Sequence, residues 1–506
     1  TFFYQPRFAS PGCYLFEMPK INKFICIHGH FYQPPRENPW LETITYQESA
    51  YPFHDWNERI LAECYASNTC ARILDKKGHV AERVNNYSSI SFNFGPTLLS
   101  WMESKAPDTY QLILDADKIS QEKFSGHGSA MAQCHSHMIM PLANSKDKYT
   151  QVYWGIRDFE YRFKRLPEGM WLPETAVDLE TLEIMADLGI RFTILAPHQA
   201  DRPHGELDIN QPYSVRLGAG KSINVFFYNG ALSQSLAFGN LLRDGKCFAE
   251  KLMQTNNTEE PQLLSLATDG ETYGHHHKFG EMALAFALKY IDNQSGAQLT
   301  NFAEYLEKFP SDQEIEIIEN TSWSCVHGIE RWNSNCGCET GGNSEWNQIW
   351  RGPLRRALDW LQGRADSIFI EVSKDLIKDP WKARDSYIDI RISWCDRDTF
   401  FAQHCHRNLN ESEKAVVLSL LELQSNAMLM YTSCGWFFND ISGIETEQIL
   451  LYAGKVIQLA EELSGENLEP RFLGLLQLAK SNVPGKGNGS QIYKNVIEKA
   501  RMDFQV

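Results

Sequence analysis

The chain has 506 residues, 43% hydrophobic and 22% charged, with 48 basic against 64 acidic side chains and a net charge of -16. That balance describes two or three globular domains, or one large α/β domain with an appendage, and excludes a disordered chain. No Lys/Arg cluster is present to bind a phosphate backbone and no apolar run of about 18 residues to span a bilayer, so neither nucleic acid nor membrane is an expected partner.

Residues 1–17 carry neither the basic start nor the long apolar stretch of a secretory signal, and Met18-Pro19-Lys20 reads like a translation start. Segment 1–17 is therefore expected to be upstream sequence outside the fold. Twelve scattered cysteines without a signal point to a reducing, cytoplasmic setting, where thiols rather than bridges are the rule.

From 18 to about 320, strand-like runs at 24–28, 90–94, 170–173, 192–195, 225–228 and 263–268 alternate with helical stretches at 55–74, 108–124, 151–165 and 178–188. Asp55 and Asp178 are placed to cap helices and Pro96 to open one. This alternation predicts a parallel sheet, open or closed, with helices outside. After a stretch rich in Gly, Asn and Cys at 321–347, periodicity predicts helices at 345–362, 374–394 with breaks, 411–431, 445–464 and 470–481. The expected division is an α/β unit over 18–320 and a helical bundle over 321–506. Residues 481–490 read as a flexible surface loop.

Chemistry belongs at the carboxyl ends of such strands. Glu174 follows Met170-Trp171-Leu172-Pro173, where the proline ends the strand and leaves the carboxylate at its tip; the plainer reading makes Glu174 a cap for the helix near Asp178. Asp269 ends the apolar run 263–268, with Gly270 and Glu271 after it. Clustered carboxylates raise one another's pKa, which keeps an acid protonated near neutrality. A hydrogen-bonded turn Asp is the alternative, and Glu271 is a second candidate acid. His28 and His30, two apart on an extended segment, point the same way. With His135, His137 and the 275–277 histidines they suggest one polar pocket, suited by residue type to a sugar site or to a metal hydrolase. Cys325-x-His327 and Cys336-x-Cys338 could clip zinc, but the spacing lacks the usual two-residue gap, so a reduced, tightly turned loop is the reading preferred and no metal or cofactor is expected.

In order, His28-Gly29-His30 with Tyr32-Gln33-Pro34, His137-Met138-Ile139-Met140-Pro141-Leu142, Gly169-Met170-Trp171-Leu172-Pro173-Glu174 and Thr268-Asp269-Gly270-Glu271-Thr272-Tyr273-Gly274-His275 resemble the motif series of glycoside hydrolase family 57. The resemblance covers most of 20–440. It implies an incomplete β/α barrel of seven strands followed by an α-helical domain that closes over the site. It also implies Glu174 as nucleophile, Asp269 as general acid/base, and His28, His30, Gln33, His137, Trp171, Glu271 and His275 as substrate-binding residues. Thr432-Ser433-Cys434-Gly435-Trp436 sits where the family often has Ser-Ser-Asp-Trp; Gly435 replaces the Asp, and Trp436 remains as an expected stacking wall.

The activity so implied is retaining cleavage of α-glycosidic bonds in an α-glucan-type oligo- or polysaccharide, by hydrolysis or by transfer to a sugar, with the two carboxyl groups roughly 5–5.5 Å apart. Two other classes stand beside it. One is a metal-dependent deacetylase-like hydrolase with His28, His30 and Asp269 as ligands, and the other is a carbohydrate-binding barrel that has lost turnover.

Overall fold

The computed structural model describes residues 22–201, 206–254, 260–310 and 313–505, with side chains through residue 500. The expectation for 1–17 lies outside the described residues.

Seven parallel strands form the first part: β1 (Lys23–Phe31), β2 (Ser91–Phe94), β3 (Ala130–Gln133), β4 (Met170–Trp171), β5 (Phe192–Leu195), β6 (Ser222–Phe227) and β7 (Gln262–Asp269). The ladder runs β7-β1-β2-β3-β4. A single parallel bridge, Gly169 with Phe192, carries it on to β5, which pairs with β6. Between β6 and β7 the ring is joined by little more than Asn229 N donating to Ser265 O at 2.8 Å. The barrel is therefore incomplete, as expected. Its interior is packed by Phe24, Phe192, Phe226, Phe302 and Tyr305, so only the strand ends are left for chemistry.

The local rules hold where neighbours in sequence decide them. Asp55 and Asp178 cap their helices through Glu58 N and Thr181 N, and Pro96 opens the helix Pro96–Lys105. Strand β3 was not among the expected strands. Its sequence, Ala-Met-Ala-Gln, has no β-branched residue and takes its conformation from pairing with β2 and β4. The helix expected at 345–362 starts later, at Arg351, and runs to Ser373. The 481–490 loop is pinned by Asp440, which accepts from Ser481 Oγ and from Asn482 N, so its glycines do not leave it free.

The second part is helical, built on α2 (Arg351–Ser373), α3 (Pro380–Arg391), α4 (Glu411–Leu429) and α5 (Ile444–Ser464). It packs against the barrel helix α1 (Ser145–Phe163). Fully buried Arg384 on α3 donates to Asp147 Oδ1 on α1 at 2.7 Å, to Thr150 Oγ1 at 2.8 Å and to Gln424 on α4 at 2.9 Å. The two terminal nitrogens of this guanidinium are matched while Nε has no partner, and the contacts they make tie the two layers together.

On its other side α1 lies so close to β3 that a Cβ on Gly155 would stand 2.0 Å from the Gln133 carbonyl oxygen. Alanine normally favours a helix over glycine by about 1 kcal/mol. Here the clash is with backbone and should dominate. Gly155→Ala is expected to lose about 1–3 kcal/mol in chemical denaturation; a gain in stability would contradict this packing.

Candidate active site

Glu174 stands just past β4 in the left-handed region, φ 57°, and Thr175 after it has φ 51°. Two consecutive non-glycine residues there cost of order 1–3 kcal/mol each unless the surroundings hold them. They are held. Thr175 N donates to Leu172 O and Thr175 Oγ1 to Gln199 Oε1, both at 2.8 Å, while Trp323 N donates to Glu174 O at 3.0 Å. The result turns the Glu174 side chain back over the barrel mouth. The helix that Glu174 might have capped is capped by Asp178 instead.

Glu174 Oε2 accepts from Trp323 Nε1 at 2.9 Å and from Ser324 Oγ at 2.7 Å. Burial raises its carboxyl above the ordinary value, and these two hydrogen bonds, then Arg331, oppose the rise. Asp269, at the tip of β7, is in register with His30 of β1. Its side chain is open to solvent, as a group meeting a substrate must be. It is nonetheless sunk in the mouth of the barrel among packed groups. That desolvation, followed by the charge of Glu174, pushes it up to about 7. Glu271 is buried, accepts from Tyr32 N at 3.1 Å and from the Tyr65 hydroxyl, and is pushed up to about 8 by burial and then by Asp269. The mouth thus holds one carboxyl, Glu174, whose burial is opposed by two hydrogen bonds, beside two others, Asp269 and Glu271, that hold their protons to about 7 and 8.

The histidines form a chain. His28 is fully buried, with Nδ1 on Ser91 Oγ at 3.0 Å and Nε2 on Asn93 Oδ1 at 3.1 Å. Asn93 also meets His30 Nδ1 through its amide nitrogen at 2.9 Å. His30 Nε2 is 3.1 Å from His137 Nε2, and His137 Nδ1 is 2.6 Å from Ser433 Oγ. Burial lowers His28 and His30 to about 3, and His137 is also lowered. Neutral imidazoles must then alternate donor and acceptor along the chain. His137 has φ 54° and stacks on Tyr32 at 3.8 Å between ring centres.

Several expectations change at this point. His28 has both nitrogens engaged and no exposed surface, so it orients Asn93 rather than touching a sugar. Trp171 is likewise fully buried, stacked beneath His28 and His30 at 4.9 and 5.0 Å. Trp436 offers no stacking wall: it has no exposure, and its faces are taken by Tyr431 and by the Arg355 guanidinium 4.4 Å away. His275 pairs with Glu63 and sits edge-on to Trp56 at 6.0 Å, away from the His30–Trp323 group. Gln33 is half-buried, donating to Tyr32 O and accepting from Arg36, which reaches Glu445 of the helical part at 3.6 Å. The physical reason is shared. A motif fixes where a residue lies in the chain, but the neighbouring strand or helix decides whether its face stays open.

Other residues were not anticipated. Trp323 and Ser324 hold Glu174, and Ser433 holds His137. Tyr228 lies close enough that Asp269, after burial, keeps its phenol well above the ordinary range. Tyr228 follows a strand run, so the strand-end rule could have found it. Trp323 and Ser324 lie in an irregular loop that gives no periodic signal.

Among the described residues, two groups bring three or more metal-ligating atoms within 4.8 Å of one another: Cys325, His327, Cys336 and Cys338, and His54, Asp55 and Glu58, of which only Asp55 is buried. His28, His30 and Asp269 do not form such a group among the described residues. A cavity of about 740 Å³ bordered by Trp101, Tyr387, Arg391 and Tyr452 lies between the barrel and the helices and includes neither Glu174 nor Asp269.

A sequence profile described as glycosyl hydrolase family 57 matches residues 22–318. The chain belongs to that family. Residues 346–506 match a domain of unknown function, DUF3536. No protein of curated function matches in sequence. Solved structures of similar fold include an exo-type maltose-forming amylase from Pyrococcus sp. ST04, with 16% identity, TM-score 0.69, and coverage of 94% of this chain and 88% of that one. A 4-alpha-glucanotransferase from Thermococcus litoralis has 14% identity and TM-score 0.56, over 88% of this chain and 60% of that one. A branching enzyme of the same family from Pyrococcus horikoshii has 13% identity and TM-score 0.54, over 96% of each chain.

The two raised carboxyls set a pH dependence of stability. Unfolded Asp and Glu ionise near pH 4, whereas folded Asp269 and Glu271 hold protons to about 7 and 8. The folded state therefore loses stability as pH rises from about 4 through those values. Asp269→Asn and Glu271→Gln should each become more stable relative to the parent between pH 5 and pH 8, read as denaturation midpoints. An unchanged difference at the two pH values would contradict the desolvated site.

Proposed function

We propose that this family member is a retaining enzyme acting on α-glycosidic bonds of α-glucan-type oligo- or polysaccharides. Asp269 protonates the leaving glycosidic oxygen while Glu174 attacks the anomeric carbon, forming a glycosyl ester. Asp269, now a carboxylate, takes a proton from water or from a sugar hydroxyl. That oxygen displaces Glu174, and both groups return to their starting states. The observation that carries this reading is the split in the environment of the two carboxyls. Glu174 has two donors on one oxygen, suited to a charged nucleophile, whereas Asp269 is kept protonated to about 7, suited to an acid. The activities named for the similar solved structures, a maltose-forming amylase, a glucanotransferase and a branching enzyme, agree in acting on α-glucans. Eleven unpaired cysteines among the described residues suit a reducing compartment such as the cytoplasm.

The test is incubation with maltooligosaccharides and with glycogen, scoring reducing ends, redistribution of chain length and new branches. Asp269→Asn should slow turnover by about 10²–10⁴-fold, and Glu174→Gln should prevent trapping of a fluorinated sugar as an ester. Because Asp269 must be protonated for the first step, kcat/KM should fall above about pH 7, and Asp269→Asn should abolish that limb. Undiminished rates in either variant would refute the assignment.

A further inference from the structure

Three cysteines and a histidine outside the proposed glycan chemistry converge beside the cleft. Cys325 Sγ lies 3.7 Å from Cys338 Sγ and 4.0 Å from Cys336 Sγ, and Cys338 Sγ is 3.5 Å from His327 Nδ1. A tetrahedral zinc ion with Zn–S of about 2.3 Å and Zn–N of about 2.0 Å sets sulfur–sulfur edges near 3.8 Å and sulfur–nitrogen edges near 3.5 Å. The observed spacings are those edges. A disulfide, with sulfurs about 2.05 Å apart, would use two of the thiols and leave the third and the imidazole without a role.

The single-residue gap between the second pair is made workable by Gly337. Its φ of 80° reverses the chain between Cys336 and Cys338 so that both sulfurs face one side. The surroundings also fit a site of net negative charge. Zinc with three thiolates carries one excess negative charge, and the fully buried Arg351 guanidinium lies 3.7 Å from Cys336 Sγ and donates to Cys338 O at 3.2 Å. The ligand set of three thiolates and one imidazole is closed, leaving no open position for chemistry, which makes the role structural.

We propose that Cys325, His327, Cys336 and Cys338 bind one zinc ion, which fixes the adjoining Trp323-Ser324 segment against Glu174. Cys325 directly follows Ser324, so the ion anchors the loop one residue from the hydrogen bonds on the Glu174 carboxylate. The positioning half of the proposal rests on the glycosidase reading; the metal half does not.

The full-length protein, purified without a histidine tag or chelator, should contain about one zinc per chain by elemental analysis, retained on dialysis and released by a mercurial thiol reagent. Cobalt in its place should give thiolate-to-cobalt charge-transfer bands and the intense visible bands of a tetrahedral ion. His327 is exposed, so His327→Ala should fold and yet lose zinc affinity about 10-fold or more, whereas His327→Cys should keep the metal. With a loosened loop, Glu174 loses donors that hold its pKa down. The acid limb of kcat/KM should therefore move to higher pH in His327→Ala and return in His327→Cys. An active protein with no zinc and no cobalt–thiolate bands would overturn the site, as would a Cys325–Cys338 disulfide or bound iron–sulfur. A zinc-loaded protein inert toward every glucan would instead refute the proposed function while leaving the site standing.

Discussion

Two hydrogen bonds onto a single carboxylate oxygen, from Trp323 and Ser324 to Glu174, are the constraint around which the mouth of the barrel is organised. Burial alone would neutralise a carboxyl in this position. The two donors oppose that effect at Glu174, and the charge of Glu174 adds to the burial that raises Asp269. The two carboxyls are therefore coupled: solvation by hydrogen bonds from the protein offsets part of the burial of Glu174, whereas at Asp269 the packed mouth and the charge of Glu174 both act to retain the proton.

That solvation is preorganised by strain. Glu174 and Thr175 both occupy left-handed backbone, and the network that over-determines them comes from Gln199 near β5 and from the 321–324 segment. The donors arrive on an irregular loop, so their placement depends on whatever fixes that loop. Arg351 at the start of α2 holds the Cys338 carbonyl from one side, and Trp332, donating to Ser433 O at 3.1 Å, ties the same loop to the helical part.

The helical part contributes to the site itself. Ser433 meets His137 through both side chain and backbone, and Met138 bridges to Thr432. The buried Arg384 cluster fixes the two layers against each other at a distance from the chemistry. Histidines that look like independent sugar ligands are thus links in a buried, neutral hydrogen-bond chain whose far end is anchored in another layer.

The sequence by itself determined the strand–helix alternation, the capping of helices by Asp55 and Asp178, the two strand-tip carboxylates at Glu174 and Asp269, and membership of the family. All of these depend on residues adjacent in the chain: an apolar run, a proline or glycine that ends it, a short side chain that satisfies a free backbone donor. Only the tertiary structure decided that His28 and Trp171 lie beneath the site, that Trp436 is core, that Trp323, Ser324 and Ser433 complete the mouth, and that three cysteines and a histidine with unpromising spacing meet at one point. Each of those outcomes depends on which face of a side chain a distant strand, helix or loop covers. No local periodicity encodes that, because the covering residue lies tens to hundreds of positions away.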